Sequence, residues 1–109
     1  MPSSSLRDKI PDIIKNNGSI PITRVLNNEE YLKCLNEKLQ EEVDEYLRDP
    51  SVEEMTDVLE VLEAIASVMG FTKNEIERTK TIKASEKGTF KNRIFLEKVL
   101  IKNSIRKTE

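Results

Sequence analysis

The chain has no histidine and no tryptophan, one cysteine, three glycines and four prolines in 109 residues. Each scarcity excludes something. Without histidine there is no Ser-His-Asp or Cys-His catalysis and no histidine-ligated zinc. Any metal must therefore be held by oxygen, which points to magnesium, manganese or calcium. A lone Cys34 cannot form an internal disulfide and points to a reducing, intracellular setting. So little glycine and proline is not the composition of a linker or a collagen-like chain. No uncharged apolar stretch approaches the ~18 residues of a membrane helix, so no membrane partner is expected. Met1 to Leu6 carry no apolar signal core. Together these readings predict a cytoplasmic protein.

Leu, Ile, Val and Phe make up 31 of the 109 residues. That is above the ~20% below which disorder is the better description. The length allows a single domain, 1–109, with one modest core.

The net charge is −2, but it is unevenly spread. Residues 1–28 form a basic N-terminal segment at +2, residues 29–70 an acidic centre at −10, and residues 71–109 a basic end at +6. In one reading, helices simply carry solvated charged faces. In the other, carboxylates hold a cation and the basic flanks bind an anion above it.

The segment from Leu6 to Ile14 is mixed in pattern and ends at a turn signal, Asn16-Asn17-Gly18. Ile20-Pro21-Ile22 is a short extended stretch. Asn27 or Asn28 suits the N-cap of a helix from Glu29 to about Leu47, with apolar spacing at Leu32, Leu35, Leu39, Val43, Tyr46 and Leu47. Asp49-Pro50 ends it. Ser51 caps a second helix whose stripe is Val58, Val61, Leu62, Ile65, Val68 and Met69, and Gly70 closes that helix. So short a link predicts an antiparallel hairpin over 29–70. Thr72 and Glu75 read as a capping box for a third helix, 73–86, with a thin apolar side of Ile76, Ile82 and Ala84. Gly88 ends it. Phe90, Ile94, Phe95 and Leu96 follow, and residues 97–105 read as a fourth helix that includes Ile105. The fold predicted is all-α: a small helical bundle on an antiparallel hairpin core.

Several carboxylates sit where a simple amphipathic helix would not put them. At ~100° per residue from Leu32, the first stripe is centred near 0°. Glu41 then falls at about 180°, toward solvent, Glu42 at about 280°, beside Leu35, and Glu45 at about 220°, next to Glu42. On the second helix Glu54 and Asp57 fall on the core-facing stripe, while Glu60 and Glu63 fall off it. Two helices each offer a pair of acids three residues apart, equally far from the turn. Two such charges ~4 Å apart repel by ~4 kcal/mol at an effective dielectric of ~20, and a divalent cation removes that cost. Plainer readings exist. Glu54 fits a capping box with Ser51. Glu42 and Glu45 can be surface acids. Asp57 is harder to dismiss, because Asp is a poor mid-helix residue and here it lies among Val, Leu and Ile.

Glu41-Glu42-Val43-Asp44-Glu45 followed by Glu54-Met55-Thr56-Asp57 matches the pattern Glu-Glu-x-x-Glu … Glu-x-x-Asp. It resembles the all-α nucleoside triphosphate pyrophosphohydrolase superfamily, which includes MazG-type enzymes, dimeric dUTPases and phosphoribosyl-ATP pyrophosphohydrolase. Leu6-Arg7-Asp8-Lys9-Ile10-Pro11, Asp57-Val58-Leu59-Glu60-Val61-Leu62 and the segment Lys83 to Leu96, with Glu86-Lys87-Gly88-Thr89-Phe90, resemble its small MazG-like, phosphoribosyl-ATP-pyrophosphohydrolase-like branch. Eight residues separate Glu45 from Glu54, fewer than in the better-studied MazG-type enzymes.

The resemblance implies a bundle completed by dimerisation, with Mg²⁺ (Mn²⁺ as the alternative) between the helices. It implies cleavage of a nucleoside triphosphate between its α and β phosphates, giving a monophosphate and pyrophosphate. By position, Glu42, Glu45, Glu54 and Asp57 would be metal ligands, and Glu41 and Glu42 the catalytic carboxylates. Such chemistry also needs cations for the remaining phosphate charge. Arg7, Lys9, Lys83, Lys87, Lys91 and Arg93 are available, with a solvated basic surface as the plain reading of each. Tyr31, Tyr46, Phe71, Phe90 and Phe95 offer a stacking ring, although core packing is the role expected of each. A catalytically silent, dimerising helical regulator is the alternative function. Nucleic-acid binding through the basic tail, 98–107, is weaker, because the chain is net negative and lacks a reading motif.

Overall fold

The computed structural model describes residues 6–102. They form four helices, α1 (Ile10–Asn16), α2 (Asn28–Arg48), α3 (Val52–Met69) and α4 (Lys73–Lys87), with no strand among the described residues. The all-α expectation holds. The chain divides into two units, Met1–Lys73 and Asn74–Glu109.

In the first unit, residues 10–16, which the sequence pattern left without an element, form α1. Pro11 lies in its first turn with Asp12, and Lys15 lies in its last, each placed as the helix dipole favours. Gly18 turns the chain at φ 90°. Asn27 then starts α2 with a full capping box. Its side chain accepts the Glu30 N–H at 2.8 Å, and the Glu30 carboxylate accepts the Asn27 N–H at 3.4 Å. α2 ends before Asp49-Pro50, and Ser51 caps α3 by accepting the Glu54 N–H at 3.1 Å. Gly70, at φ 79°, closes α3 in a Schellman motif. Its own N–H reaches the Ser67 carbonyl at 3.2 Å, and the Phe71 N–H reaches the Ala66 carbonyl at 2.9 Å.

α2 and α3 pack together as the predicted antiparallel hairpin. The face that α2 buries differs from the one its apolar periodicity selects. Leu35, Lys38 and Glu42 are buried, whereas Leu32, Leu39 and Val43 are half-buried and Leu47 is 68% exposed. The buried face is rotated by roughly 90° from the apolar stripe. Periodicity locates an apolar stripe but not the part of it that a partner covers. α3 contributes the buried Val61, and α2 the buried Leu35 with two charged residues, Lys38 and Glu42. α3 also carries a second apolar face. Met55, Leu59, Leu62 and Met69 are each about half exposed.

In the second unit, α4 is mostly polar, with Ile76 and Ile82 about half exposed and Ala84 half-buried. The Gly88 N–H reaches the Ala84 carbonyl at 2.9 Å and ends the helix. Phe71, Phe90 and Phe95 are exposed, which corrects the expectation that they pack in a core; Tyr31 and Tyr46 are half-buried. The fourth helix predicted over 97–105 is not formed across 97–102. Val99, Leu100 and Ile101 are all exposed there, and a short helix without packing does not repay its nucleation. Residues 103–107, including Ile105, and the stretch 1–5 read as lacking a leader lie outside the described residues. No helix among the described residues is long and apolar enough to cross a membrane.

The capping box makes a local prediction. Asn27→Ala loses a cap and lowers stability by about 1 kcal/mol. Asn28→Ala, inside the first turn of α2, changes it by less than about half of that. Chemical denaturation midpoints of the two variants check the difference.

Candidate metal centre

The hairpin brings three acids to one point. Glu42 comes from the C-terminal half of α2, and Glu54 and Asp57 come from the first two turns of α3. One carboxylate oxygen of each lies within 4.8 Å of the others. Glu42 is buried, and Glu54 and Asp57 are half-buried. The short link at 49–51 sets this register, because positions equally far from the turn face each other. Ser51 caps through the Glu54 backbone N–H, so the cap leaves the Glu54 side chain to join the group.

Two cations attend the acids. The Arg7 guanidinium donates to Asp57 at 2.9 Å and to Glu60 at 2.8 Å, fastening the N-terminal segment to α3. The Lys38 ammonium lies 3.8 Å from the Glu42 carboxylate. The Lys38 side chain is only 7% exposed, and its nitrogen has no hydrogen-bond partner.

The titration behaviour follows from this crowding. Burial raises the Glu42 carboxyl above its ordinary range; Lys38 opposes the rise, Asp57 adds to it, Arg7 opposes and Glu45 adds. Glu54 is raised as well, by burial first and then by Glu45, Asp57 and Glu42. Glu60 is lowered by its hydrogen bond from Arg7. That same hydrogen bond raises Arg7.

The other expected site residues fall as follows. Glu45 acts on Glu42 and Glu54 through its charge, but its carboxylate accepts a hydrogen bond from Arg48 at 2.7 Å, outside the tight group. Glu41 is half-buried, where helical geometry sends it to solvent. Lys9 is exposed just ahead of α1. Lys83 and Lys87 are exposed on α4. The Lys91 N–H donates to the Thr89 hydroxyl at 3.2 Å. Arg93 adopts a left-handed backbone, φ 58°, in the turn after Phe90. These four belong to the second unit.

Two residues escaped the sequence reading. Glu60 was placed off the stripe, yet it shares Arg7 with Asp57. Lys38 drew no notice as an ordinary helical lysine. The available signal was its place four residues before Glu42, on the same face of an acidic helix.

A cleft of about 220 Å³ opens beside the acids, lined by Leu6, Arg7, Asp8, Tyr31, Leu35, Lys38, Glu60, Val61 and Ala64. A wider cleft of about 590 Å³ shares Leu6, Arg7, Asp8 and Tyr31 and runs along 22–26 and Pro11. The donor set suits a hard divalent cation. Oxygens around a magnesium ion stand no more than ~4.2 Å apart, twice the ~2.1 Å bond, so a small closure of the group would suffice.

No protein-family model matches the chain, and no solved structure matches it. A stretch of 40 residues is 45% identical to part of an uncharacterised protein of Mycolicibacterium smegmatis, covering 37% of this chain and 41% of that relative's length. That likeness names no activity.

The electrostatics predict opposite effects for two similar substitutions. Raised carboxyls mean that the folded state disfavours the charged form, so their destabilisation grows as pH rises through the raised value and vanishes below the ordinary one. Glu54→Gln removes such a charge and raises the melting temperature of the metal-free protein at neutral pH. The gain disappears below about pH 4, where the native glutamate is already neutral. Glu42→Gln strands the buried Lys38 ammonium and lowers the melting temperature. Thermal melts of both variants between pH 3 and 8 check the signs.

Proposed function

We propose that this protein is a magnesium-dependent nucleotide pyrophosphohydrolase. It would cleave a nucleoside triphosphate, or a related nucleotide, between the α and β phosphates, with removal of non-standard nucleotides as its use. The supporting observation is the convergence of Glu42, Glu54 and Asp57, from two helices, at the positions where Glu-Glu-x-x-Glu … Glu-x-x-Asp expects metal ligands. Glu45 completes the set when it leaves Arg48.

Bound Mg²⁺, or Mn²⁺, supplies neutralisation of phosphate oxygens and a more acidic water. The residues of the chain do the rest. Glu41 or Glu42 orients the attacking water and takes its proton. The water oxygen bonds to phosphorus, the bond to the bridging oxygen breaks, and pyrophosphate leaves. Arg7, on the wall of both clefts, holds phosphate charge. Lys9, Lys83, Lys87 and Arg93 are further candidates for that role by resemblance. The apolar face of Met55, Leu59, Leu62 and Met69 suits coverage by a second copy, as the family likeness implies.

A second reading, a silent dimerising regulator, draws on Arg7 and Lys38, which already neutralise the acids without a metal. One assay separates the two. Purified protein is incubated with Mg²⁺ and a panel of standard and modified nucleoside triphosphates, and pyrophosphate and orthophosphate are measured separately. Pyrophosphate release that stops in EDTA, and falls on the order of a hundredfold or more in Asp57→Asn, is the expected result. Orthophosphate alone would place the cleavage elsewhere. Folded protein that releases neither and takes up no Mg²⁺ would favour the regulator.

A further inference from the structure

Lys38 is the charged group that the packing of the hairpin leaves unexplained. Its ammonium has three donors, and none meets an acceptor. The nearest carboxylate, Glu42 at 3.8 Å, is beyond hydrogen-bond reach. A side chain 93% buried whose charge has no hydrogen-bond acceptor is costly. The nitrogen is buried, but the residue borders a cleft. Lys38 and Arg7 both line the cleft of about 220 Å³, as does Tyr31, and each reaches one acid of the triad, Lys38 to Glu42 at 3.8 Å and Arg7 to Asp57 at 2.9 Å. Two cations on one small cleft, one of them lacking an acceptor, call for an oxyanion.

We infer that Lys38 is a binding residue for a phosphoryl oxyanion, held with Arg7 at the wall between the cleft and the Glu42, Glu54 and Asp57 carboxylates. The inference rests on the metal-centre reading above. It deepens that reading by naming a subsite that neither the sequence pattern nor the triad supplies. Asp8 and Glu60 line the same cleft, so a bare anion would meet as much negative charge as positive. Anion binding is therefore metal-dependent. With the triad's charge met by an ion, Lys38 is released from its long pairing with Glu42 and Arg7 from Asp57, and both turn their donors to phosphoryl oxygens. The same exchange makes Lys38 a competitor of the metal in the ligand-free protein.

Isothermal titration tests this with Mn²⁺ alone, then with pyrophosphate and with α,β-methylene-ATP in saturating Mn²⁺. The variants are Lys38→Met and Lys38→Gln, with circular dichroism reporting the fold. Both are expected to stay folded, to bind Mn²⁺ at least as tightly as the native chain, and to bind the phosphorylated probes at least tenfold more weakly. Loss with both probes assigns the subsite to nucleotide phosphates, and loss with pyrophosphate alone assigns it to the released product. Probe affinities within twofold of native would overturn the inference, as would unfolding of both variants, which would make Lys38 a purely structural ion-pair partner. If the native chain takes no Mn²⁺, the metal-centre reading fails. The lysine subsite, which depends on the metal, then falls with it, whereas native Mn²⁺ binding with unchanged probe affinities overturns the subsite alone.

Discussion

The fold depends on how charge is managed between α2 and α3. Glu42 is 3% exposed and faces Glu54 and Asp57 across the hairpin. Three carboxylates brought so close repel one another and need compensation. Lys38 and Arg7 are the compensation. Lys38 comes from α2 itself, one turn before Glu42. Arg7 comes from outside the hairpin, which is why the segment ahead of α1 lies against α3. Its hydrogen bonds to Asp57 and Glu60 join residues 50 and 53 positions apart. Much of the long-range structure of the first unit thus follows from the need to neutralise one acidic point.

The same arrangement explains why the apolar surface lies outside. Leu35 and Val61 are the buried hydrophobic residues among the described ones. Lys38 and Glu42 are the other buried residues of α2. The apolar stripes that would ordinarily fill a two-helix interface are displaced sideways, onto Leu32, Leu39 and Val43 of α2 and onto Met55, Leu59, Leu62 and Met69 of α3. At ~25 cal/mol per Å² of apolar area buried, a hairpin that gives its seam to charges gives up stabilisation there. A polar seam and apolar flanks are one fact seen twice.

This also marks what was legible in the sequence. Helix ends were legible because caps are local chemistry. Asn27, Ser51 and Gly70 act within a few residues of themselves, and each lies where the pattern expects it. The convergence of Glu42, Glu54 and Asp57 was legible because helical spacing and a short turn fix the register. Glu45 was harder, since its choice between the cluster and Arg48 turns on a side-chain conformation that spacing does not encode. Lys38 was missed because residue type argued for solvent, and only the partner helix makes it interior; Glu60 stays exposed and was missed because the Arg7 it accepts from is 53 positions away. The region 97–102 was misread for the converse reason. Its residues suit a helix, but Val99, Leu100 and Ile101 stay exposed and give a short helix no packing to repay its nucleation.

On the proposed reading, the cations that stabilise the free hairpin are also the ones that its ligand requires. Arg7 cannot hold Asp57 and a phosphate with the same donors, nor can Lys38 serve Glu42 and an anion equally. A divalent ion resolves the conflict, because it satisfies the carboxylates more completely than two monovalent side chains and sets both free in one event. The arrangement ties occupancy of the anion subsite to occupancy of the carboxylates. On that reading a phosphate would meet repulsion from Asp8, Glu60 and the acids themselves, and would find Arg7 engaged with Asp57 and Glu60. Selectivity for a metal-bound polyphosphate over a free anion needs no moving loop. On the proposed reading it would follow from the sign and placement of the charges around Arg7 and Lys38.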